Sequence, residues 1–210
     1  YGGPSSQTVE AKYQRDWNYY LASTLGYVVL RVDGRGTGNR GRAFRTPVRG
    51  RLGMVEAEDV VEAARIWSKL PYIDEKRIAI WGWSFGGFLT TKVIESNSSV
   101  FQLGMAVAPV TDWRYYDSIY TERYMSTPDK NPDGYFNSSV HEMDGFNHAT
   151  FALAHGTGDD NVHFANTMNL LDRFTVGEVR DYHLRVFADS DHSISTRNAY
   201  WELMAWLEGL

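Results

Sequence analysis

Hydrophobic positions recur along the chain with two alternating spacings. Short apolar runs predict five strands, and apolar residues three and four apart predict four helices between and after them. The predicted strands are 27–32, 77–82, 103–108, 151–154 and 183–187, and the predicted helices are 54–70, 87–96, 163–174 and 195–207. Residues 109–150 have a less regular pattern, rich in Tyr, Asp, Asn and Pro. Strands alternating with helices predict an α/β fold, a mostly parallel sheet with helices on both faces.

In such a sheet, ligands bind outside the carboxyl ends of the strands. The predicted strand ends lie at five places in the chain, namely Asp33, Gly82, Ala108, His155–Gly156 and Ala188. The residues that carry chemistry are therefore expected in the loops that directly follow these positions.

Composition narrows the class of protein. The 210 residues are 43% hydrophobic, enough for one core, so residues 1–210 are expected to form a single domain. The net charge of −5 disfavours nucleic acid as a partner. The absence of cysteine excludes disulfides and thiolate ligands within this segment, and no histidine pair has zinc-protease spacing. We therefore expect no metal and no cofactor.

Two segments resemble binding motifs but lack the required context. Gly36–Gly41 fits G-x-G-x-x-G after a predicted strand, but a dinucleotide site needs a helix directly afterwards, and 42–51 shows no helical pattern. Seven arginines lie between Arg31 and Arg51. In an acidic domain they are expected to form structural ion pairs rather than a nucleic-acid surface.

Gly82-Trp83-Ser84-Phe85-Gly86 fits the nucleophile elbow G-x-S-x-G of α/β-hydrolases. A predicted buried strand precedes it and a predicted helix follows, which is the context that the motif requires. The glycines allow a tight turn that presents the serine hydroxyl at the sheet edge. Ser84 is the predicted nucleophile, and the backbone N–H of Phe85 is expected to face the oxyanion.

The chain order of this fold places an acid and then a histidine after the serine. His192 lies between the last predicted strand and the last helix, where the fold places its base, whereas His155 and His183 are expected to be structural. The acid is Asp159 or Asp160, and the residues alone do not distinguish them. The other carboxylate is expected to cap the helix that begins near Val162.

Several segments resemble the dipeptidyl peptidase IV family of prolyl oligopeptidase-type serine peptidases, over nearly the whole chain. Two of them are the opening Tyr-Gly-Gly-Pro at 1–4 and Asp-Gly-Arg-Gly at 33–36, after the first predicted strand. The others are the elbow at 81–87, the Tyr-Tyr-Asp-Ser-Ile-Tyr-Thr-Glu-Arg-Tyr run at 115–124 and the acid loop at 155–164. Family members have an α/β-hydrolase domain preceded by a β-propeller. The resemblance therefore implies that the propeller, and the first strands of the hydrolase sheet, lie outside this segment.

Carried over position by position, the resemblance implies a complete set of site residues. The catalytic residues would be Ser84, Asp159 and His192, and Tyr1 would join Phe85 at the oxyanion. The pocket for proline and the carbonyl contact before it would be formed by Val110, Trp113, Tyr116, Tyr120, Asn161 and Val162. Two residues depart from the family pattern: Phe85 replaces a tyrosine, and Ser193 replaces a glycine.

The function implied is removal of N-terminal dipeptides with Pro, or less well Ala, in second position. The resemblance also implies a homodimer and a parent chain that is membrane-anchored or secreted. The sequons at Asn97 and Asn137 are weak support for the secretory pathway. The alternatives are an endopeptidase, acyl-peptide hydrolase or esterase on the same scaffold, and an inactive homologue that serves as an interaction subunit.

Overall fold

A computed structural model describes all 210 residues and contains one parallel sheet. Its strands lie side by side in chain order: β1 Ala79–Trp83, β2 Leu103–Val107, β3 Thr150–Gly156 and β4 Tyr182–Phe187. The register pairs Gly82 with Ala106 and Val107 with Ala154. The carboxyl ends of all four strands therefore meet at one edge of the sheet.

Helices connect and cover these strands. The α-helices are α1 Trp17–Ser23, α2 Arg42–Arg45, α3 Met54–Trp67, α4 Phe85–Glu95, α5 Ser118–Met125, α6 Pro132–Asn137, α7 Ala165–Val176 and α8 Ala199–Glu208. Short 3-10 turns occupy Thr46–Val48, Trp113–Tyr115 and Asp144–Asn147. No helix has both the length and the apolar character needed to cross a membrane.

The two faces of the sheet pack against different helices. On one face, α3, α4 and α7 bury residues such as Val61, Val93 and Phe174 against Leu153. On the other face, Leu203 and its neighbours in α8 pack with residues of β2 and β3, and Trp17 of α1 lies partly buried beside them. The predicted α/β fold with helices on both faces is confirmed.

One predicted strand is wrong. Tyr27–Val32 has no strand beside it, and Tyr27, Val28 and Leu30 are exposed. A strand is held by ladder hydrogen bonds to a neighbour, so an apolar run without one stays irregular. The segment still ends at Asp33, whose buried carboxylate accepts the N–H groups of Thr8 and Val9.

Helix boundaries shift by a few residues from the prediction. Helix α3 ends at Trp67 instead of residue 70, α7 begins at Ala165 instead of 163, and α8 begins at Ala199 instead of 195. Residues 42–48, where no helix was expected, form α2 and a 3-10 turn. This correction leaves no N-terminal site for a dinucleotide, because α2 has only four residues.

Candidate active site

Ser84 lies on a strained turn between β1 and α4. Its backbone has φ 59° and ψ −119°, a conformation that costs a non-glycine residue about 1–3 kcal/mol. A Cβ on Gly82 would lie 2.2 Å from the carbonyl oxygen of Gly86, so a side chain there would break the turn. The N–H of Ser84 donates to Val107 O at 2.9 Å, which fixes the turn to β2. The hydroxyl is thereby presented at the carboxyl edge of the sheet.

Phe85 and Tyr1 lie beside Ser84. Phe85 is the first residue of α4, and the first N–H groups of a helix have no intrahelical partner. The rings of Tyr1 and Phe85 are 6.0 Å apart, and a Cβ on Gly86 would lie 3.0 Å from Tyr1 Cα. Burial, with a smaller contribution from Tyr124, raises the pKa of the Tyr1 phenol. At neutral pH, Tyr1 is therefore a hydrogen-bond donor.

Asp159 contacts His192 with good hydrogen-bond geometry. Asp159 Oδ2 lies 2.7 Å from His192 Nδ1, while Oδ1 accepts the N–H groups of Asn161 and Val162 at 3.0 and 2.8 Å. Burial alone would raise the pKa of Asp159, but hydrogen bonds from His155 and His192 outweigh it and hold the pKa well below its usual range. Asp159 is therefore ionised at neutral pH and faces His192.

The neighbouring carboxylate does not have the capping role expected for it. Asp160 is exposed and makes no hydrogen bond to the backbone of the following turn. Asp159 accepts those backbone N–H groups with one oxygen and His192 with the other. One carboxylate therefore holds the turn 159–162 and contacts His192, because its two oxygens point in different directions. Helix α7 itself begins at Ala165 without a side-chain cap.

The backbone of His192 is also held in place by a hydrogen bond. Trp83 Nε1 donates to His192 O at 2.9 Å, a contact that no sequence pattern indicated. Two residues later, the buried Ile194 has a left-handed backbone with φ 47°. The His192 ring bonds to Asp159 and makes no hydrogen bond to Ser84. Catalytic hydrogen bonds are often long in free enzymes and shorten when substrate binds.

Next to Ser84 lies a group of packed rings, here called the aromatic cluster. Its members are Phe85, Phe88, Trp113, Tyr116, Tyr120 and Tyr124. Trp113 is fully buried at the centre, stacked on Tyr120 at 6.0 Å and edge-to-face with Phe88 at 5.0 Å. Val110 and Val162 are buried in the same cluster. The structure thus brings all five predicted pocket-wall residues together.

A hydrogen bond joins the aromatic cluster to the acid loop. The Tyr116 hydroxyl donates to Asn161 Oδ1 at 2.9 Å. Since the Asn161 oxygen is occupied, its amide N–H₂ group is the part that remains available as a donor. Asn161 and Val162 both donate backbone N–H groups to Asp159, so Asp159 and the buried Val162 of the aromatic cluster share a single turn.

A buried glutamate lies near the aromatic cluster. Glu56 is 2% exposed, and its Oε2 accepts the N–H of Gly53 at 3.0 Å, while Oε1 has no partner. Burial, with a smaller contribution from Asp59, raises its pKa to about 7 against the opposing effects of the backbone hydrogen bonds from Glu56 and Gly53 and of Arg35. The backbone of Gly53 lies directly against the Phe88 ring of the aromatic cluster, so close that a Cβ at this position would be 2.4 Å from that ring. Sequence reasoning missed Glu56.

The comparisons with known proteins agree on one family. The prolyl oligopeptidase family model matches residues 13–209. Proteins named "Probable dipeptidyl-aminopeptidase B" from Talaromyces stipitatus and Talaromyces marneffei are each 54% identical over 99% of this chain. Each match covers 24% of the relative, so the chain spans about a quarter of the length of these curated relatives.

A solved structure resembles the whole chain. The crystal structure of Porphyromonas gingivalis dipeptidyl peptidase 4 superposes with a TM-score of 0.93 at 42% identity. The match covers 100% of this chain and 29% of that one. The arrangement of β1–β4 and their helices is therefore that of the corresponding part of a larger enzyme.

Proposed function

This chain belongs to the prolyl oligopeptidase family of serine peptidases, and we propose that it is the catalytic part of a dipeptidyl peptidase. The substrate class is peptides with Pro, or less well Ala, as the second residue, from which the enzyme releases the N-terminal dipeptide. The observation that carries the proposal is the Asp159–His192 hydrogen bond of 2.7 Å at the same sheet edge as the Ser84 elbow and the aromatic cluster.

The reaction is acyl transfer through Ser84. His192 Nε2 takes the hydroxyl proton as Ser84 Oγ attacks the scissile carbonyl, and Asp159 stabilises the imidazolium through Nδ1. The Phe85 N–H and the Tyr1 hydroxyl donate to the oxyanion. The C–N bond then breaks as His192 protonates the leaving amine. Water attacks the resulting ester while His192 takes its proton, and His192 then returns that proton to Ser84 Oγ as the acyl C–O bond breaks and the dipeptide acid leaves.

Specificity follows from the walls beside the serine. A pyrrolidine ring is rigid and apolar, and the proposed pocket for it has Trp113, Tyr116 and Tyr120 as its aromatic wall, with Val110 and Val162 packed beside them. The Asn161 amide N–H₂ donates to the carbonyl of the residue before proline, since its oxygen is engaged by Tyr116. A larger second residue would displace rings of a packed cluster, whereas Ala would leave part of the pocket unfilled.

We propose that the free amino terminus of the substrate is bound by residues outside 1–210. We propose a β-propeller in the parent chain as the source of the acidic groups, consistent with the greater length of the relatives. A homodimer and a membrane-anchored or secreted parent chain belong to the same proposal. Asn97 and Asn137 are exposed, as glycosylation in the secretory pathway would require.

Two chromogenic substrates test the proposal in the intact protein. We expect hydrolysis of Gly-Pro-anilide and none of its N-acetylated form, because the family's exopeptidases require a free amine. Cleavage of both would replace the proposal with an endopeptidase, acyl-peptide hydrolase or broad esterase. If neither is cut and a fluorophosphonate fails to label Ser84, the chain is an inactive interaction subunit. Ser84→Ala is the control for background hydrolysis.

A further inference from the structure

His155 lies directly behind Asp159, at the end of β3. Its side chain is fully buried, and both ring nitrogens have partners. Nε2 lies 2.8 Å from Val162 O and 3.2 Å from Asp159 Oδ2, and Nδ1 lies 2.7 Å from Thr167 Oγ1. The ring also meets Phe164 edge-to-face at 5.5 Å. Nothing in the mechanism above uses this ring.

The partners determine which nitrogen carries the proton. Val162 O and the Asp159 carboxylate accept only, so Nε2 must be the donor. In the tautomer with its proton on Nε2, Nδ1 accepts from the Thr167 hydroxyl, which can donate. The shorter Nε2 contact is with Val162, so one N–H is shared unequally between the pocket wall and the acid.

Asp159 Oδ2 is consequently located between two imidazoles. His192 approaches it at 2.7 Å from the loop after β4, and His155 at 3.2 Å from β3. The remaining ionisable groups nearby are Tyr116, whose pKa is raised mainly by burial and also by Asp117, Tyr1 and Asp159, and the exposed carboxylates of Asp160, Asp189 and Asp191. None of these makes a hydrogen bond to Oδ2, so the two histidines alone direct it.

We propose that His155 is a positioning residue for the reaction: its shared Nε2–H directs the Asp159 carboxylate at His192 and fixes the distance between the acid and the Val162 wall. The proposal rests on the proposed function only in its assignment of Ser84 as nucleophile and His192 as base. It does not depend on the choice of peptide substrate. Loss of the N–H would leave Val162 O without its partner and leave His192 as the only donor to Asp159 Oδ2.

The proposal also predicts the direction of a pH effect. The His155 N–H withdraws negative charge from the carboxylate that stabilises the His192 imidazolium. Without this donor, the carboxylate attracts the imidazolium more strongly, so the base loses its proton at higher pH. The acidic limb of the rate profile then moves to higher pH. A residue that only filled space would leave that limb in place.

The test is the rate of Ser84 labelling by a fluorophosphonate across pH 5–9 in the intact protein, corrected for the folded fraction at each pH. His155→Phe keeps the ring shape and loses the donor, and His155→Gln keeps a donor. We expect about tenfold slower labelling and an acidic limb about half a pH unit higher for the Phe variant, with substantial recovery in the Gln variant. His183→Gln, on the exposed side of β4, is the histidine control and should match wild type.

The outcomes are separable. Equal labelling profiles in the wild type and His155→Phe, or a slower rate with an unmoved limb in both His155 variants, would overturn the positioning role. Labelling of the wild type without hydrolysis of Gly-Pro-anilide would reject the proposed substrate and leave the His155 result valid. If the wild type is never labelled, both the proposed function and the positioning role of His155 are overturned, because each requires a reactive Ser84.

Discussion

The acid loop and the aromatic cluster lie side by side but are held in different ways. Asp159 receives the backbone N–H groups of its own turn on one oxygen, and on the other two imidazoles that come from β3 and from the loop after β4. Trp113 is surrounded by rings 5.0–6.0 Å away and makes no hydrogen bond through Nε1. Hydrogen bonds position the Asp159 carboxylate, whereas close packing of apolar surface positions the rings of the aromatic cluster. A change of a single atom should therefore have its largest effect on activity in the acid loop, and truncation of a ring should have its largest effect on stability in the aromatic cluster.

The largest effect is expected from one atom of the acid. Asp159→Asn keeps the shape but places an amide opposite His192 Nδ1, so the wrong tautomer is favoured. We expect kcat to fall by roughly 10³–10⁴-fold with a nearly unchanged fold. Steady-state hydrolysis of Gly-Pro-anilide measures it. Asp160→Asn is the matched control, and an equal loss in that variant would contradict the assignment of Asp159.

Truncation at the centre of the aromatic cluster should be costly for stability. Trp113→Ala removes a buried indole that packs on four other rings, and we expect a loss of about 3–5 kcal/mol in the free energy of unfolding. Chemical denaturation monitored by circular dichroism measures it. Tyr115→Ala, at the adjacent exposed position, should cost less than about 0.5 kcal/mol. Equal losses at both positions would show that the cluster does not hold this region together.

Glu56, near the aromatic cluster, makes the stability of the folded chain depend on pH. Its folded pKa is about 7, above the ordinary 4.5, so the folded state retains a proton that the unfolded chain has lost. Stability should therefore fall as pH rises from about 4.5 to 7. One pKa unit is worth about 1.4 kcal/mol, so the full penalty above pH 7 is about 3 kcal/mol.

The variant Glu56→Gln tests this pH dependence. It keeps an acceptor for Gly53 N–H and has no charge to lose, so the variant should be more stable than the wild type at pH 8 and equal to it at pH 4.5. Thermal unfolding at both values measures the difference. A variant that is destabilised by the same amount at both pH values would show that Glu56 is ionised in the folded state throughout.

The smallest effect tests the bond between the two regions. Tyr116→Phe removes the donor to Asn161 Oδ1, and the net value of such a bond is about 1 kcal/mol. We expect KM for Gly-Pro-anilide to rise about fivefold with little change in kcat. Tyr120→Phe, whose hydroxyl has no hydrogen bond to lose, should raise KM less. A larger effect at Tyr120 would indicate a hydroxyl contact with substrate.

The sequence could predict elements whose physics is local. The elbow glycines, the apolar runs of β1–β4 and the order of Ser84 and His192 along the chain are all readable from neighbouring residues. Segment 27–32 has the same apolar pattern as a real strand, but pairing depends on a partner that the pattern does not contain. The sequence could not predict this difference.

Contacts between distant residues were equally unreadable. Asp159 and Asp160 are adjacent carboxylates, and only the approach of His192 across 33 positions distinguishes them, a choice that the family resemblance made by analogy. The bond from Trp83 to His192 O spans 109 positions. Glu56 gives no signal beyond its spacing from Gly53, because its unusual pKa arises from burial beneath other elements.

The central claim is that Ser84 is the nucleophile of an acyl-transfer reaction. A proline-containing diphenyl phosphonate with a free amino terminus, incubated with the intact protein and followed by peptide mass spectrometry, tests it most directly. The account predicts one adduct, on Ser84, whose formation is blocked by Gly-Pro dipeptide analogues and is lost in Ser84→Ala. An adduct on any other residue, or turnover of Gly-Pro-anilide that survives Ser84→Ala, would contradict it.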